Sequence, residues 1–114
     1  MIKNRVYDLH GVEWKPIRGD LAKKVFGKTL IPERLEEVQI VWTKVEPDGE
    51  FPRHKDPYHH ILYFLIGQGE GWLGDEIYDI KPGTVVEIPA GESHGYKNTG
   101  EEDIILLTVN IPVA

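Results

Sequence analysis

The sequence contains no cysteine and a single serine among its 114 residues. Without cysteine, disulfides, thiolate metal ligands and thiol nucleophiles are all excluded. The lone serine, Ser93, also gives no convincing serine-based catalytic triad, because its neighbour His94 is a better candidate metal ligand. Any metal ion must therefore be bound by histidine and carboxylate side chains.

Basic residues and long apolar runs are scarce as well. The chain has 13 lysine or arginine residues against 19 aspartate or glutamate residues, a net charge of −6, and no basic cluster longer than the pair Lys23-Lys24. Nucleic acids and anionic membranes both require a concentrated basic face, so we expect neither as a partner. No apolar run reaches about 18 residues, and residues 1–5 lack the apolar segment of a signal peptide. We therefore expect a cytoplasmic protein.

Glycine and proline, by contrast, are frequent and evenly spread, with 12 and 8 residues. The short apolar segments between them are rich in Val, Ile, Tyr and Trp, which is typical of an all-β sandwich or barrel. We predict strands at residues 5–9, 12–17, 23–26, 37–46, 60–66, 71–73, 76–80, 85–88, 95–98 and 103–111. Residues 32–37 are compatible with a helix but are too short to form a substantial one.

Three proline-containing turns should reverse the chain sharply, at residues 47–49, 81–83 and 89–91. Two runs, 61–66 and 104–109, are apolar on both faces. Such runs belong in the interior of a two-layer structure or in a dimer seam. A closed or nearly closed β-barrel satisfies these observations.

Three of the five histidines fall within residues 54–60, and His94 follows a proline turn. Side chains alternate across a strand, so His54, Asp56 and His60 can point to the same side and reach one metal ion. Pro57 interrupts this segment, so the argument is firmest for the first two residues. The remaining histidine, His10, is read as packed or solvated.

Other readings of the histidine cluster remain open. His59 replaces Asp56 as a ligand if the turn at residues 56–58 bends the backbone. Asp56 can instead orient an imidazole by accepting its second N–H. From these residues alone, surface histidines beside a proline turn are an equally good reading. Glu92, close to His94, is expected to be a solvated charge.

Both histidine-bearing segments resemble the motifs of the cupin family. The second motif, Gly-x5-Pro-x-Gly-x2-His-x3-Asn, is matched in full by Gly83, Pro89, Gly91, His94 and Asn98. The first motif departs at three positions, where Asp48 replaces a glycine, Asp56 a histidine and His60 a glutamate. The resemblance covers about residues 37–111. It implies an all-β, cupin-type double-stranded β-helix, a small jelly-roll-like barrel within a single domain (1–114) whose residues 1–36 are accessory strands.

The resemblance also implies one divalent transition metal ion per chain, bound by His54, Asp56, His60 and His94. Such ligands suit Fe, Mn, Ni, Zn or Cu without choosing among them. Two free positions in octahedral coordination suit a small, oxygen-rich, bidentate substrate. Cupins include dioxygenases, isomerases, decarboxylases and non-catalytic binding domains. We expect a metalloenzyme of the dioxygenase or isomerase type, with a non-catalytic small-molecule-binding or sensing module as the alternative.

Strand parity also predicts which side chains line the pocket. Leu62, Phe64 and Ile66 follow His60 on its face, and Tyr96 follows His94 in the same way. Tyr96 is the candidate catalytic residue, as a hydrogen-bond donor or acid–base group, although a core position fits it equally well.

Two further expectations concern structure rather than chemistry. Asn98 should connect backbone segments rather than act in the site. The run 104–109 and the predicted strand 5–9 have more apolar surface than a single barrel can cover, so we expect a homodimer.

Overall fold

The computed structural model describes residues 4–31 and 38–113. Within these ranges the chain forms a short 3-10 helix, Leu9–Gly11, and nine strands: β1 (Lys15–Pro16), β2 (Lys23–Thr29), β3 (Gln39–His54), β4 (His59–Ile66), β5 (Gly69–Leu73), β6 (Glu76–Ile80), β7 (Val85–Ile88), β8 (His94–Asn98) and β9 (Ile104–Ile111). All the pairings among them are antiparallel. The all-β prediction is confirmed. None of the described helices is long and apolar enough to cross a membrane.

The long strand β3 belongs to both halves of a curled sheet. Its first half pairs with β2 and β9, and β9 continues to β4 and the edge strand β7. Its second half pairs with β8, which continues to β5 and the edge strand β6. The two halves face each other around a shared interior, as the cupin-type barrel requires.

The predicted reversal at residues 47–49 is wrong, because β3 passes through this segment. The chain bends instead: Asp48 has φ +68°, and the β2–β3 register shifts at this point. A β-bulge of this kind turns a strand from one sheet into the next without ending it. The predicted turns at 81–83 and 89–91 are confirmed, with φ of +96° at Gly83 and +84° at Gly91.

Alternate residues of the strands fill the interior. Val45, Phe64, Ile104 and Leu106 have no exposed surface, and they pack together between the two halves. The opposite face of β4 is open, since Tyr63 is 42% exposed. The run 61–66 is therefore buried on one face only.

The N-terminal segment differs from its prediction. Residues 5–8 form no strand, and the predicted strand 12–17 is reduced to β1. This segment packs against β2, where the missing side chain of Gly27 makes room for Ile17: a Cβ on Gly27 would lie 2.6 Å from Cδ1 of Ile17. Residues 32–37, the helix-compatible stretch, lie outside the described residues.

Candidate metal centre

The fold brings together the four side chains that the sequence selects. His54 ends β3 and His94 begins β8, and the two are register partners on neighbouring strands. His60 points inward from β4, in the opposite half of the sheet, and Asp56 lies in the connection between β3 and β4. The bend in β3 and the short connection that follows it therefore place ligand candidates from both halves around one point.

The carboxylate of Asp56 is the hub of this cluster. Its Oδ2 atom lies 3.0 Å from Nε2 of His54, 2.8 Å from Nε2 of His60 and 3.5 Å from Nε2 of His94. The candidate ligand atoms of His54, Asp56 and His94 all lie within 4.8 Å of one another. His60 is not part of this group of three, but its Nε2 atom lies 2.8 Å from Oδ2 of Asp56.

The second nitrogen of each imidazole is fixed by an oxygen atom. Nδ1 of His54 donates to the carbonyl oxygen of Pro52, and Nδ1 of His94 donates to that of Glu92, each over 2.8 Å. A carbonyl oxygen only accepts, so Nδ1 must carry the proton in both rings. The neutral tautomer then directs the Nε2 lone pair towards the centre of the cluster, as a metal ligand requires.

His60 is held in the same way by a side chain. Its Nδ1 lies 2.8 Å from Oδ1 of Asn110, and the amide nitrogen of Asn110 donates to Oε1 of Gln39 over 3.2 Å. That second bond orients the Asn110 amide, with its oxygen towards His60. Neither residue was selected from the sequence, although Asn110, the one amide side chain in the mostly apolar strand β9, is a usable signal.

The electrostatics of the cluster favour a bound cation. Burial lowers the pKa of His94, against the opposing effect of its hydrogen bond to Glu92, and so favours the neutral ring. Burial alone would raise the pKa of Asp56, but the hydrogen bond with His60 and the nearby imidazoles outweigh it, and the net pKa is lowered. The buried carboxylate is therefore held ionised, while burial disfavours a positive charge on His94, so a metal cation shared by these side chains would balance the carboxylate charge.

The donor set fits a divalent transition metal. Nitrogen and oxygen ligands bind such ions at about 2.0–2.2 Å, so two ligands at right angles are about 3.0 Å apart. The separations of 2.8–3.5 Å from Oδ2 to the three Nε2 atoms are of this size. Imidazole and carboxylate together suit several first-row metals.

The alternative ligands His59 and Glu92 do not point their side chains into the cluster through any described contact. Nδ1 of His59 accepts the backbone N–H of Ala90 over 2.9 Å, on the opposite parity to His60. Glu92 contributes its carbonyl oxygen to His94. Asn98 has the structural role predicted for it, since its amide nitrogen donates to the carbonyl oxygens of Val45 and Glu102.

Tyr96 is buried close to the cluster but within aromatic surroundings. Its ring meets those of Phe51 and Phe64 edge to face, with centroids 5.8 and 5.9 Å apart, and Phe51 stacks on His54 at 4.3 Å. Burial, followed by the proximity of Tyr78, raises the pKa of Tyr96. The phenol therefore stays protonated near neutral pH and is suited to donating a hydrogen bond rather than to accepting a proton.

A cavity of about 720 Å³ extends from the cluster. Its walls include Leu62 and Tyr96, as predicted, whereas Phe64 is buried in the hydrophobic core without lining the cavity and Ile66 is 48% exposed on the outside. A bulge between Phe64 and Ile66 in the β4–β9 ladder reverses the parity after Phe64, which is why the prediction for Ile66 is wrong.

The N-terminal segment supplies part of the cavity wall, which sequence reasoning missed. Arg18 lines the cavity, and its Nη1 atom lies 3.7 Å from Oδ1 of Asp56. These two residues are 38 positions apart, so no local pattern connects them.

Comparison with known proteins agrees with this description. Residues 41–110 match the family described as the cupin domain. No curated protein matches the sequence. Among solved structures, a predicted oxalate decarboxylase from Thermotoga maritima is 26% identical, with a TM-score of 0.84 over 96% of this chain and 100% of that one.

Two further structures are similar. The polyketide cyclase RemF from Streptomyces resistomycificus is 25% identical, with a TM-score of 0.81 over 96% of this chain and 80% of that one. A cupin 2 conserved barrel domain protein from Rhodopseudomonas palustris is 19% identical, with a TM-score of 0.76 over 90% of this chain and 73% of that one, a likeness of fold alone.

Proposed function

Because the chain belongs to the cupin family, we propose that it is a metal-dependent enzyme acting on a small, oxygen-rich molecule. One observation carries the proposal: three imidazole Nε2 atoms converge on one oxygen of Asp56 beside a cavity of about 720 Å³. The proposed ligands of one divalent transition metal ion per chain are His54, Asp56, His60 and His94. A bound metal would act as a Lewis acid and, if redox-active, would support oxygen chemistry of the dioxygenase type.

The chain's own residues divide the remaining work. Pro52, Glu92 and Asn110 hold the imidazoles in the ligating tautomer through their oxygen atoms. Leu62 and Phe51 give the cavity apolar walls that exclude water from the reacting groups. Tyr96, with its raised pKa, would donate a hydrogen bond to a substrate oxygen.

Metal content is the first test. We expect about one transition metal ion per chain after reconstitution with Fe, Mn, Ni, Zn or Cu, with strong loss of uptake in His94→Ala. His10→Ala is the matched control, because His10 is exposed and bonded to Asp8, away from the cluster. Uptake below about 0.1 ion per chain in the parent would contradict the proposal.

Turnover is the second test. The loaded protein is screened against diketones, catechols, keto-sugars and hydroxy acids, with and without oxygen. Oxygen-dependent turnover lost in His94→Ala supports the dioxygenase type, and oxygen-independent interconversion of keto-sugars supports an isomerase. Tyr96→Phe removes only the hydroxyl group, so a fall in kcat with unchanged metal content assigns Tyr96 a catalytic role.

A non-catalytic binding or sensing module is the second candidate. The raised pKa of Tyr96 favours this candidate, because it disfavours loss of the phenol proton. Tyr96 is the only predicted acid–base residue apart from the proposed metal ligands. Ligand binding that depends on the metal but produces no turnover under any of these conditions identifies this function.

We also propose an oligomeric state, a location and a class of partner for the chain. The chain is proposed to form a homodimer, with residues 1–114 of each copy as one domain. The lack of cysteine is consistent with the reducing cytoplasm, which we propose as its location. A small molecule, rather than nucleic acid, is the proposed partner, in keeping with the net charge of −6.

A further inference from the structure

The cavity beside the cluster carries more positive than negative charge, although the whole chain carries −6. Its charged lining consists of Arg5, Lys15, Arg18 and Lys28 against Glu13 and Asp56. A recess lined with an excess of one charge concentrates ligands of the opposite charge. The cavity is therefore suited to an anion.

One of these cations reaches the candidate metal centre. Nη1 of Arg18 lies 3.7 Å from Oδ1 of Asp56, too far for a hydrogen bond but close enough for charge attraction. The Oδ2 atom of the same carboxylate faces the imidazoles. Arg18 is 46% exposed, so a ligand in the cavity has access to it.

The guanidinium of Arg18 is held in position by its own loop. Nε and Nη2 donate to the two carboxylate oxygens of Asp20, over 3.2 and 3.3 Å. The carbonyl oxygen of Arg18 accepts the backbone N–H groups of Leu21 and Ala22 over 2.8 and 2.7 Å, and its φ is +46°. Such a backbone conformation is rare outside glycine and persists where the surroundings enforce it. Among the described residues no hydrogen bond uses Nη1, whose contact with Asp56 is the 3.7 Å ion pair.

We propose that Arg18 binds a carboxylate group of the substrate, separate from the oxygen atoms that reach the metal. This inference rests on the proposed function and narrows its substrate class to small anions that combine an oxygen chelate with a further carboxylate. The planar guanidinium matches a carboxylate in shape and charge. Lys28, another cation of the cavity lining, is not proposed to bind the carboxylate. Its Nζ donates to the carbonyl oxygen of Leu9 and lies 4.6 Å from the ring centre of Trp14.

The test compares matched pairs of 2-oxo acids with and without a terminal carboxylate. The manganese-loaded protein is titrated calorimetrically with 2-oxopentanedioate against 2-oxopentanoate, and with 2-oxohexanedioate against 2-oxohexanoate. We expect the diacid of at least one length to bind about 10-fold to 100-fold more tightly than its partner, as a charge-assisted hydrogen bond predicts. Arg18→Gln should abolish this preference while changing monoacid and manganese affinity by less than about threefold.

Two further variants sharpen the comparison. Arg18→Lys keeps the charge but not the planar fork, so it should retain part of the preference. Lys81→Gln is the control, because it removes one positive charge from the β6–β7 turn and should leave the preference intact.

The outcomes separate this inference from the proposed function. If the parent takes up manganese but binds the diacids no better than the monoacids, or binds none of the four, the role of Arg18 is overturned and the metal site stands. The role is also overturned if Arg18→Gln weakens both kinds of acid, or manganese itself, to the same extent, since Arg18 would then act by positioning Asp56. A parent that takes up no metal refutes the proposed function first.

Discussion

Oδ2 of Asp56 lies 2.8 Å from Nε2 of His60, and Nδ1 of the same imidazole lies 2.8 Å from Oδ1 of Asn110. One histidine thus connects the β3–β4 loop to β9, the strand that pairs with β4. The continuous series of polar contacts ends at Gln39, at the start of β3. Substitutions along this series should weaken metal binding, and the effect should be largest at Asp56 and smaller at Asn110.

Replacement of Asp56 should have the largest effect. Asp56→Ala is expected to weaken metal binding well beyond the roughly 10–100-fold loss typical of residues that only orient a ligand. Asp56→His should retain metal and raise the net charge of the site from about +1 to about +2, which lowers the pKa of bound water. Calorimetric titration with Mn²⁺ or Zn²⁺ measures both. His59→Ala is the control. If Asp56→Ala binds metal as tightly as the parent and His59→Ala does not, the ligand is His59 rather than Asp56.

Asn110→Ala should reduce metal affinity by about 10–100-fold, because it removes the acceptor that fixes the tautomer of His60. Asn110→Asp, which keeps an oxygen at this position, should restore most of the affinity. Thr108→Ala is a matched control, since Thr108 lies two residues earlier on β9 and bonds to Thr43 rather than to the cluster. Equal losses in Asn110→Ala and Thr108→Ala would indicate a general disturbance of β9.

The metal-free protein should lose stability as the pH falls below about 6.5. Burial lowers the pKa of His94 in the folded chain, so the unfolded chain binds a proton near pH 6.5 that the folded chain does not. Stability is therefore lost with falling pH in this range. Urea unfolding in the presence of a chelator, between pH 5 and pH 8, measures it. His94→Gln should flatten the profile, and an unchanged profile would contradict the assignment.

Alkaline pH should destabilise the fold through Tyr78. Burial raises the pKa of Tyr78 to about 12, and its ring packs on Gly71, where a Cβ would overlap it. The unfolded chain loses this proton near pH 10, so stability falls between about pH 10 and pH 12. Tyr78→Phe should show a shallower fall than the parent in thermal unfolding across this range. An identical slope in both proteins would exclude Tyr78 as a source.

The proposed homodimer predicts a species of about twice 13.0 kDa in sedimentation at micromolar concentration. Tyr63 and Val85 are cross-strand partners on the open face of β4 and the edge strand β7, and they are 42% and 58% exposed. If this face is the interface, Val85→Lys should shift the protein towards the monomer, whereas Ile77→Lys on β6 should not. A parent that sediments at 13.0 kDa refutes the dimer.

Much of the site could be predicted from the sequence because strand periodicity is local. His54 and His60 face the cluster as strand alternation predicts, although Asp56 lies in the connection between β3 and β4, where alternation does not apply, and the motif around His94 contains its own turn at Gly91. Neighbouring residues determine side-chain alternation and turn geometry, whereas the selection of His94 as a ligand came from the resemblance of residues 83–98 to the second cupin motif. The all-β class followed from the same kind of evidence.

Bulges were the first feature that local patterns did not predict. Pro47, Asp48 and Gly49 have the composition of a reversing turn, yet pairing with β2, β9 and β8 keeps this segment within β3 as a bend. The bulge after Phe64 likewise moved Ile66 to the outside. A bulge depends on the partner strand, because one extra residue is defined only relative to its neighbour in the ladder.

The sequence alone determined which residues were able to form a metal site, and the tertiary structure decided what surrounds it. Asn110 is 50 positions from His60 and Arg18 is 38 positions from Asp56, and only the pairing of β4 with β9 and the packing of Ile17 on Gly27 bring them into place. The predicted strand at residues 5–9 was wrong for the same reason, since none of the strands in the described part of the chain pairs with residues 5–8. Strands form only where a partner supplies hydrogen bonds, and that partner is chosen by contacts distant in sequence.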